Sequence, residues 1–375
     1  MKKSLLLLTD YQADYGLDGL HTGLYELEDW DVYEYPEKKS VHGGCDAGYD
    51  LPGQPASGLT GCGSHLALNP APGPHHTKEE IFDKFPDFDL IVMGVRDYSR
   101  RGMVELCSTK GTSPDKLSNL AIMDEEDSAH IDSDLIRNYS PVVYFKRELL
   151  KERPLEDYSR GYGGYGRVMP LPFSAFHRAY PDVDDTQKEL DLCLFLGRTW
   201  PIRDQLLLSF LALVGGHKVC APERAWVATN GNSPLFSSQY GEHLHELSPW
   251  PEYMQKQAQS KITAVVRGFG RDTMHQFEAF SYETLVLYVE PEIYMPYPFE
   301  HRKHCFYIHE EGFSLLDKIV RPILANYDDR WRDVAKAGKE HCRRYHSNRA
   351  RARYMVDISM GAISGEKLEY EKFGL

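Results

Sequence analysis

The run Arg267-Gly268-Phe269-Gly270-Arg271-Asp272-Thr273-Met274-His275-Gln276-Phe277-Glu278 holds the densest set of reactive and ligand-binding side chains in this chain. It follows an apolar strand read at 262–266, turns on two glycines, and opens a helix read at 272–282. Such a passage aims backbone N–H groups and the positive end of a helix dipole at whatever lies beyond the strand, which favours an anion. Asp272 or Thr273 can cap the helix. Gly270, Arg271 and Thr273 then form a cradle for a diphosphate. His275 and Glu278 are three residues apart and share a helix face. His275 can touch a phosphate or a leaving group, and Glu278 can accept hydrogen bonds from a ribose diol. A capped helix with a salt bridge on its face would account for the same residues without a ligand.

A second passage of this kind is Gly197-Arg198-Thr199-Trp200-Pro201-Ile202-Arg203, after the apolar run 192–196. Ligands of open α/β sheets sit at the carboxyl ends of strands. Gly197 lets backbone approach a phosphate there, and Arg198 or Arg203 can pair with it. The pattern is not G-x-G-x-x-G, which removes the main support for a nicotinamide coenzyme. Acids at other strand ends are candidates to take a proton from an attacking hydroxyl. They are Asp10, Asp97 and the run Asp124 to Asp127, with His21 on the first helix; Asp10, His21 and Asp127 are the selected catalytic candidates. Metal-like groupings are weak. Cys45 and Cys62 flank a Gly-rich loop, and His75-His76 and His301 with His304 form pairs, yet none has the ligand spacing of structural zinc. No metal is expected to be required.

The stretch SKITAVVRGFGRDTMHQFEAFSYETLVLY resembles the donor-site segment of GT-B glycosyltransferases of the spore-maturation-protein type, and HCRRYHSNRARARYMV resembles their closing helix. CLFLGRTWPIRDQLLLSFLAL is similar to the start of their C-terminal domain, so the likeness spans about 190–356. It departs at His275, where the family has Arg, and at Glu283-Thr284, where it has Gly. The resemblance implies an α/β, GT-B-like fold with two Rossmann-like domains facing a central cleft. It implies transfer of a sugar, of hexosyl type and metal-independent, from a nucleoside diphosphate sugar donor to an acceptor hydroxyl. Thr273, His275 and Glu278 would be donor-site positions, with Glu278 the ribose-binding acid. The donor is a substrate, so no further cofactor is expected. The alternatives are a non-catalytic nucleotide- or sugar-binding module of the same fold and a GT-B-shaped sugar-nucleotide epimerase.

The elements that must position these groups alternate. Apolar runs at 4–8, 88–94, 120–123 and 141–148 read as buried parallel strands. Leu17, Leu20, Leu24 and Leu27 form a helical stripe after the first. A second series begins near 192 and ends in a helical span, 312–356, with a basic end read as a solvated charged face. The expected division is an acceptor domain at 1–152, a linker at 153–185, a nucleotide-sugar domain at 186–356 and a tail at 357–375. The Gly/Pro-rich stretch 40–78 reads as an insertion beside the cleft or as a surface loop.

At 375 residues the chain suits two α/β domains. Its net charge of −13 argues against a broad nucleic-acid or anionic-membrane surface. Seven scattered cysteines without a C-x-x-C pair fit a reducing compartment. No run approaches the ~20 apolar residues of a membrane span, and a cytoplasmic location is expected.

Overall fold

The computed structural model describes residues 2–10, 15–42, 76–160, 167–176, 187–194, 201–213, 216–222, 244–245, 250–268, 270–367 and 369–375. Gly197, Arg198, Cys45, Cys62, His75 and most of the 40–78 stretch lie outside them. The chain forms two compact units. One comprises Met1–Ala179, Glu292–Pro298 and Tyr345–Leu375; the other comprises Tyr180–Pro291 and Phe299–Arg344.

The first unit runs β1 (Lys3–Leu8), α1 (Tyr15–Tyr25), β2 (Trp30–Tyr35), α2 (Lys78–Lys84), β3 (Leu90–Gly94), α3 (Asp97–Lys110) and β4 (Leu120–Asp124). It continues with α4 (Ser133–Tyr139), β5 (Val143–Lys146), α5 (Leu155–Arg160) and β6 (Arg167–Pro170). Its six strands are parallel in the order β2-β1-β3-β4-β5-β6. Leu5 to Leu8 and Leu90 to Met93 are wholly buried because helices cover both faces of a parallel sheet. At the edge, β2 alternates, burying Trp30, Val32 and Glu34. Helix α2 starts on a capping box formed by Thr77 and Glu80.

The second unit runs β7 (Leu190–Cys193), α6 (Pro201–Leu211), β8 (Val219–Pro222), β9 (Leu244–His245), α7 (Trp250–Ala258) and β10 (Ser260–Val265). Then come α8 (Met274–Phe280), β11 (Leu285–Val289), β12 (Phe306–Ile308), α9 (Leu316–Ala325) and α10 (Arg332–Tyr345). Its parallel sheet has the order β12-β11-β10-β7-β8-β9. The core under it gathers Leu192, Phe210, Ile262, Leu285, Val320 and Tyr327.

Two boundaries differ from the sequence expectation. The span 153–185, read as a linker, contains α5 and β6, and β6 pairs with β5 as a sixth strand. Its glycines and prolines hid a four-residue edge strand. The second difference is at the C-terminus. The helical span 312–356 breaks after α10, and α11 (Asn348–Ile363) belongs with 357–375 to the first unit rather than to the nucleotide-sugar domain. Ala352, Tyr354, Met355, Val356 and Ile358 fill the apolar layer between α11 and β1, β3 and β5.

The junction before α11 is tightly bonded. Ala175 N–H donates to His346 O at 2.7 Å, and Asn348 N–H donates to Ala175 O at 3.1 Å. His346 Nε2 contacts Tyr297 O at 2.9 Å, so that nitrogen carries the proton, and Nδ1 accepts from Arg351 Nη2 at 2.8 Å. Arg351, one of the arginines read as a solvated face, is 2% exposed. Its Nη2 donates to His346 Nδ1 and to Phe173 O.

Candidate functional site

The second unit's sheet reverses its winding at β7 and β10. From β7 the chain steps outward to β8 and β9, then returns to β10 on the opposite side. A crevice forms at the carboxyl ends of strands where the order reverses, and open α/β sheets bind ligands there. The segments following β7 and β10 are the two that carry the candidate donor-binding residues.

Arg203, on the first turn of α6, donates from Nε to the carbonyl of Arg267 just after β10, at 3.1 Å. A Cβ on the next residue, Gly268, would lie 2.7 Å from Arg203 Nη2, so the guanidinium holds this place only while position 268 carries no side chain. Gly268 N–H donates to Gly270 O at 3.1 Å and closes the turn. Arg203 is half-buried, and that burial pulls its guanidinium below its ordinary pKa. Arg267 Nε faces Glu310 at 3.5 Å.

Thr273 takes the N-cap position of α8 with extended backbone (φ −134°, ψ 139°), but its hydroxyl makes no capping bond. Asp272 does not cap either; it accepts from Gln276 Nε2 at 2.5 Å, and Gln276 Oε1 accepts from Tyr288 Oη at 2.6 Å. That buried chain ties the loop after β10 to β11. His275 Nδ1 lies 3.5 Å from Glu278 Oε2 and 3.5 Å from Gln257 Nε2. The shared face of His275 and Glu278 is therefore present, and the cap expected from Asp272 or Thr273 is not. Tyr282 stands near Glu278; burial, reinforced by that carboxylate, pushes its hydroxyl far above the usual tyrosine range. Sequence reasoning missed Gln257, Gln276 and Tyr288, because no local spacing links α7, α8 and β11.

In the first unit the winding reverses between β1 and β3. Asp10 follows β1 directly and is 1% exposed. Asp97 opens α3 and pairs with Arg100. The acid run after β4 is largely neutralised by neighbours: Asp124 by Lys146 Nζ at 2.8 Å, Glu125 by Arg96 Nε at 2.9 Å and Asp127 by Arg147. Tyr144 Oη also donates to Asp124 at 2.5 Å. Asp127 thus sits on the surface in an ion pair. His21 is wholly buried in α1, with Nε2 against Glu34 of β2. Of the histidines read as metal-like pairs, His76 pairs with Asp31 and stacks on Tyr33, while His304 stacks on His341.

No family model matches the chain, and no curated protein does. Solved structures do match over nearly its whole length. Sucrose-phosphate synthase from Thermosynechococcus elongatus is 13% identical, covers 98% of this chain and 100% of its own, and has a TM-score of 0.52. A glycosyltransferase from Rickettsia africae is 10% identical, with 97% and 100% coverage and a TM-score of 0.57. The Anabaena protein HepE, solved with UDP and glucose, is 12% identical, with 95% and 99% coverage and a TM-score of 0.53. At such identities the likeness establishes the fold alone: two parallel-sheet α/β units of the GT-B glycosyltransferase kind. No helix among the described residues is long and apolar enough to cross a membrane.

Proposed function

We propose that the chain is a glycosyltransferase that moves a hexosyl group from a nucleoside diphosphate sugar to an acceptor hydroxyl. The observation that carries this is the meeting of Arg203 with the Arg267–Gly268 backbone at the reversal point of the second sheet. A half-buried guanidinium held against a side-chain-free turn suits a diphosphate, which offers paired anionic oxygens. Thr273, with its hydroxyl free of capping duty, and Gly270 and Arg271 complete the phosphate end. His275 would reach the leaving diphosphate and Glu278 the ribose. The resemblance of 260–288 to spore-maturation-protein-type transferases supports the same assignment. HepE's complex with UDP makes uridine the first base to try. Asp10, at the carboxyl end of β1 beside the first sheet's reversal point, is the group we assign to receive the acceptor proton.

A thermal-shift panel of nucleoside diphosphates and their sugars tests the donor site. At ~100 times its dissociation constant, a ligand adds about 2.7 kcal/mol to stability. One diphosphate should raise the wild-type transition. Arg203→Met should weaken that ligand roughly 10- to 100-fold, the range of a lost charged hydrogen bond. If no diphosphate or sugar nucleotide moves the transition, the transferase reading fails. Asp10→Asn should leave diphosphate affinity intact and slow transfer by about 10²–10⁴-fold, the usual contribution of a general base. Unchanged turnover in that variant would remove Asp10 from the mechanism.

A further inference from the structure

The first unit contains a grouping to which the proposed transfer, with Asp10 receiving the acceptor proton, gives no role. His21 on α1, Glu34 on β2 and His42 at the end of the 3-10 turn Lys39–His42 each point one ligand-type atom at a common centre. These atoms lie within 4.8 Å of one another. His42 Nε2 is 3.0 Å from both Glu34 oxygens, and His21 Nε2 lies against Glu34 Oε2. Glu34 is 4% exposed and His21 fully buried.

The charges around Glu34 call for a cation. A buried carboxylate is costly unless something positive compensates it. Lys38, the nearest candidate, directs its ammonium to Asp18 and offers Glu34 only its backbone N–H, at 3.2 Å. The Tyr25 hydroxyl is 3.4 Å away. Among the described residues no lysine or arginine side chain pairs with Glu34. Compensation must therefore come through the two imidazoles, as a proton or as a metal ion.

Both ring nitrogens of His21 are buried, and Nε2 lies against Glu34 Oε2. With His42 Nε2 on the same carboxylate, two imidazole nitrogens and one carboxylate from three separate elements converge on one buried centre. Two imidazoles and one carboxylate are a common donor set for first-row divalent metals, zinc above all.

We infer that His21, Glu34 and His42 form a binding site for a single Zn²⁺-type divalent cation. The ion would tie the Lys39–His42 turn to α1 and the edge strand β2. This inference is independent of the donor-site reading.

The test is metal binding by the full chain. The protein is stripped with chelator, then titrated with Zn²⁺ under equilibrium dialysis and with Co²⁺ as a visible-absorption probe. One equivalent should bind, and Co²⁺ should give the intense band of a low-coordinate site. His42→Ala should weaken binding by about 100-fold or more, since even partners outside the ligand shell are worth 10- to 100-fold. His76→Ala, which alters a histidine outside the grouping, should bind as wild type does. Glu34→Gln, checked by circular dichroism for folding, should lose the Co²⁺ band while remaining folded. If the wild type retains no equivalent, or His42→Ala binds as tightly, the grouping is a proton-sharing ion pair and the inference is wrong.

Discussion

Replacing Gly23 by alanine should lower the unfolding temperature of the first unit by roughly 6–12 °C. In an ordinary helix interior the same change is favourable by about 0.5–1 kcal/mol, because glycine there has excess backbone freedom. Here the sign reverses. A Cβ on Gly23 would lie 2.0 Å from Asn348 O and 2.4 Å from Asn348 C. Those are backbone atoms at the start of α11, fixed by the Asn348 N–H bond to Ala175 and by the bond from Ser174 Oγ to Asn348 Oδ1 at 2.6 Å. No rotamer change can relieve the overlap, so α1 and α11 must separate. Overpacking usually costs about 1–3 kcal/mol, and a clash with backbone belongs at or above the upper end. At ~2–4 °C per kcal/mol for a unit of this size, the drop follows. Gly19, one turn earlier, faces Ser174 Oγ at 2.7 Å and Asn348 Oδ1 and Phe176 Cζ at 3.2 Å, side-chain atoms rather than backbone, and its alanine variant should be milder. Calorimetry on both decides; a Gly23→Ala protein as stable as wild type would sink the close-approach account.

Glu278→Gln should weaken a nucleoside diphosphate by about 10- to 150-fold, from the 1.5–3 kcal/mol of hydrogen bonds made by a charged acceptor. The carboxylate is buried, 3.5 Å from His275 Nδ1, on the face of α8 next to the turn that Arg203 supports. An ionised carboxylate is acceptor-only and suits two vicinal hydroxyls, whereas an amide supplies one acceptor and a donor of the wrong sense. The discriminating measurement compares affinity for a ribonucleoside diphosphate with that for its 2′-deoxy analogue. Wild type should prefer the ribose form, and Glu278→Gln should lose most of that preference. Were Glu278 only the partner of His275, the variant would weaken both ligands alike, and His275→Ala would reproduce its effect.

Much of this architecture could be read from local pattern. Apolar runs such as Leu5 to Leu8 and Leu90 to Met93 announce buried parallel strands, since only a strand covered on both faces is apolar at every position. The stripe Leu17, Leu20, Leu24, Leu27 announces α1 for the same local reason. The glycine turn after β10 and the three-residue spacing of His275 and Glu278 were equally legible, being consequences of helix geometry within one segment.

Local pattern therefore settles the type of most elements and the residues at strand ends able to meet a ligand. Tertiary structure alone decided which segments meet, because contacts between distant elements leave no periodic trace. It seated α11 on α1 through Gly23, carrying 345–375 into the first unit and burying Arg351 against the His346 ring and Phe173 O. It made β6 a sixth strand, matched Asp124, Glu125 and Asp127 with basic partners, and set Arg203 over Gly268. It also drew His21, Glu34 and His42 from a helix, a strand and a turn to one buried centre. Their spacings of 13 and 8 residues match no ligand motif, since the fold rather than the local chain sets the distance between them.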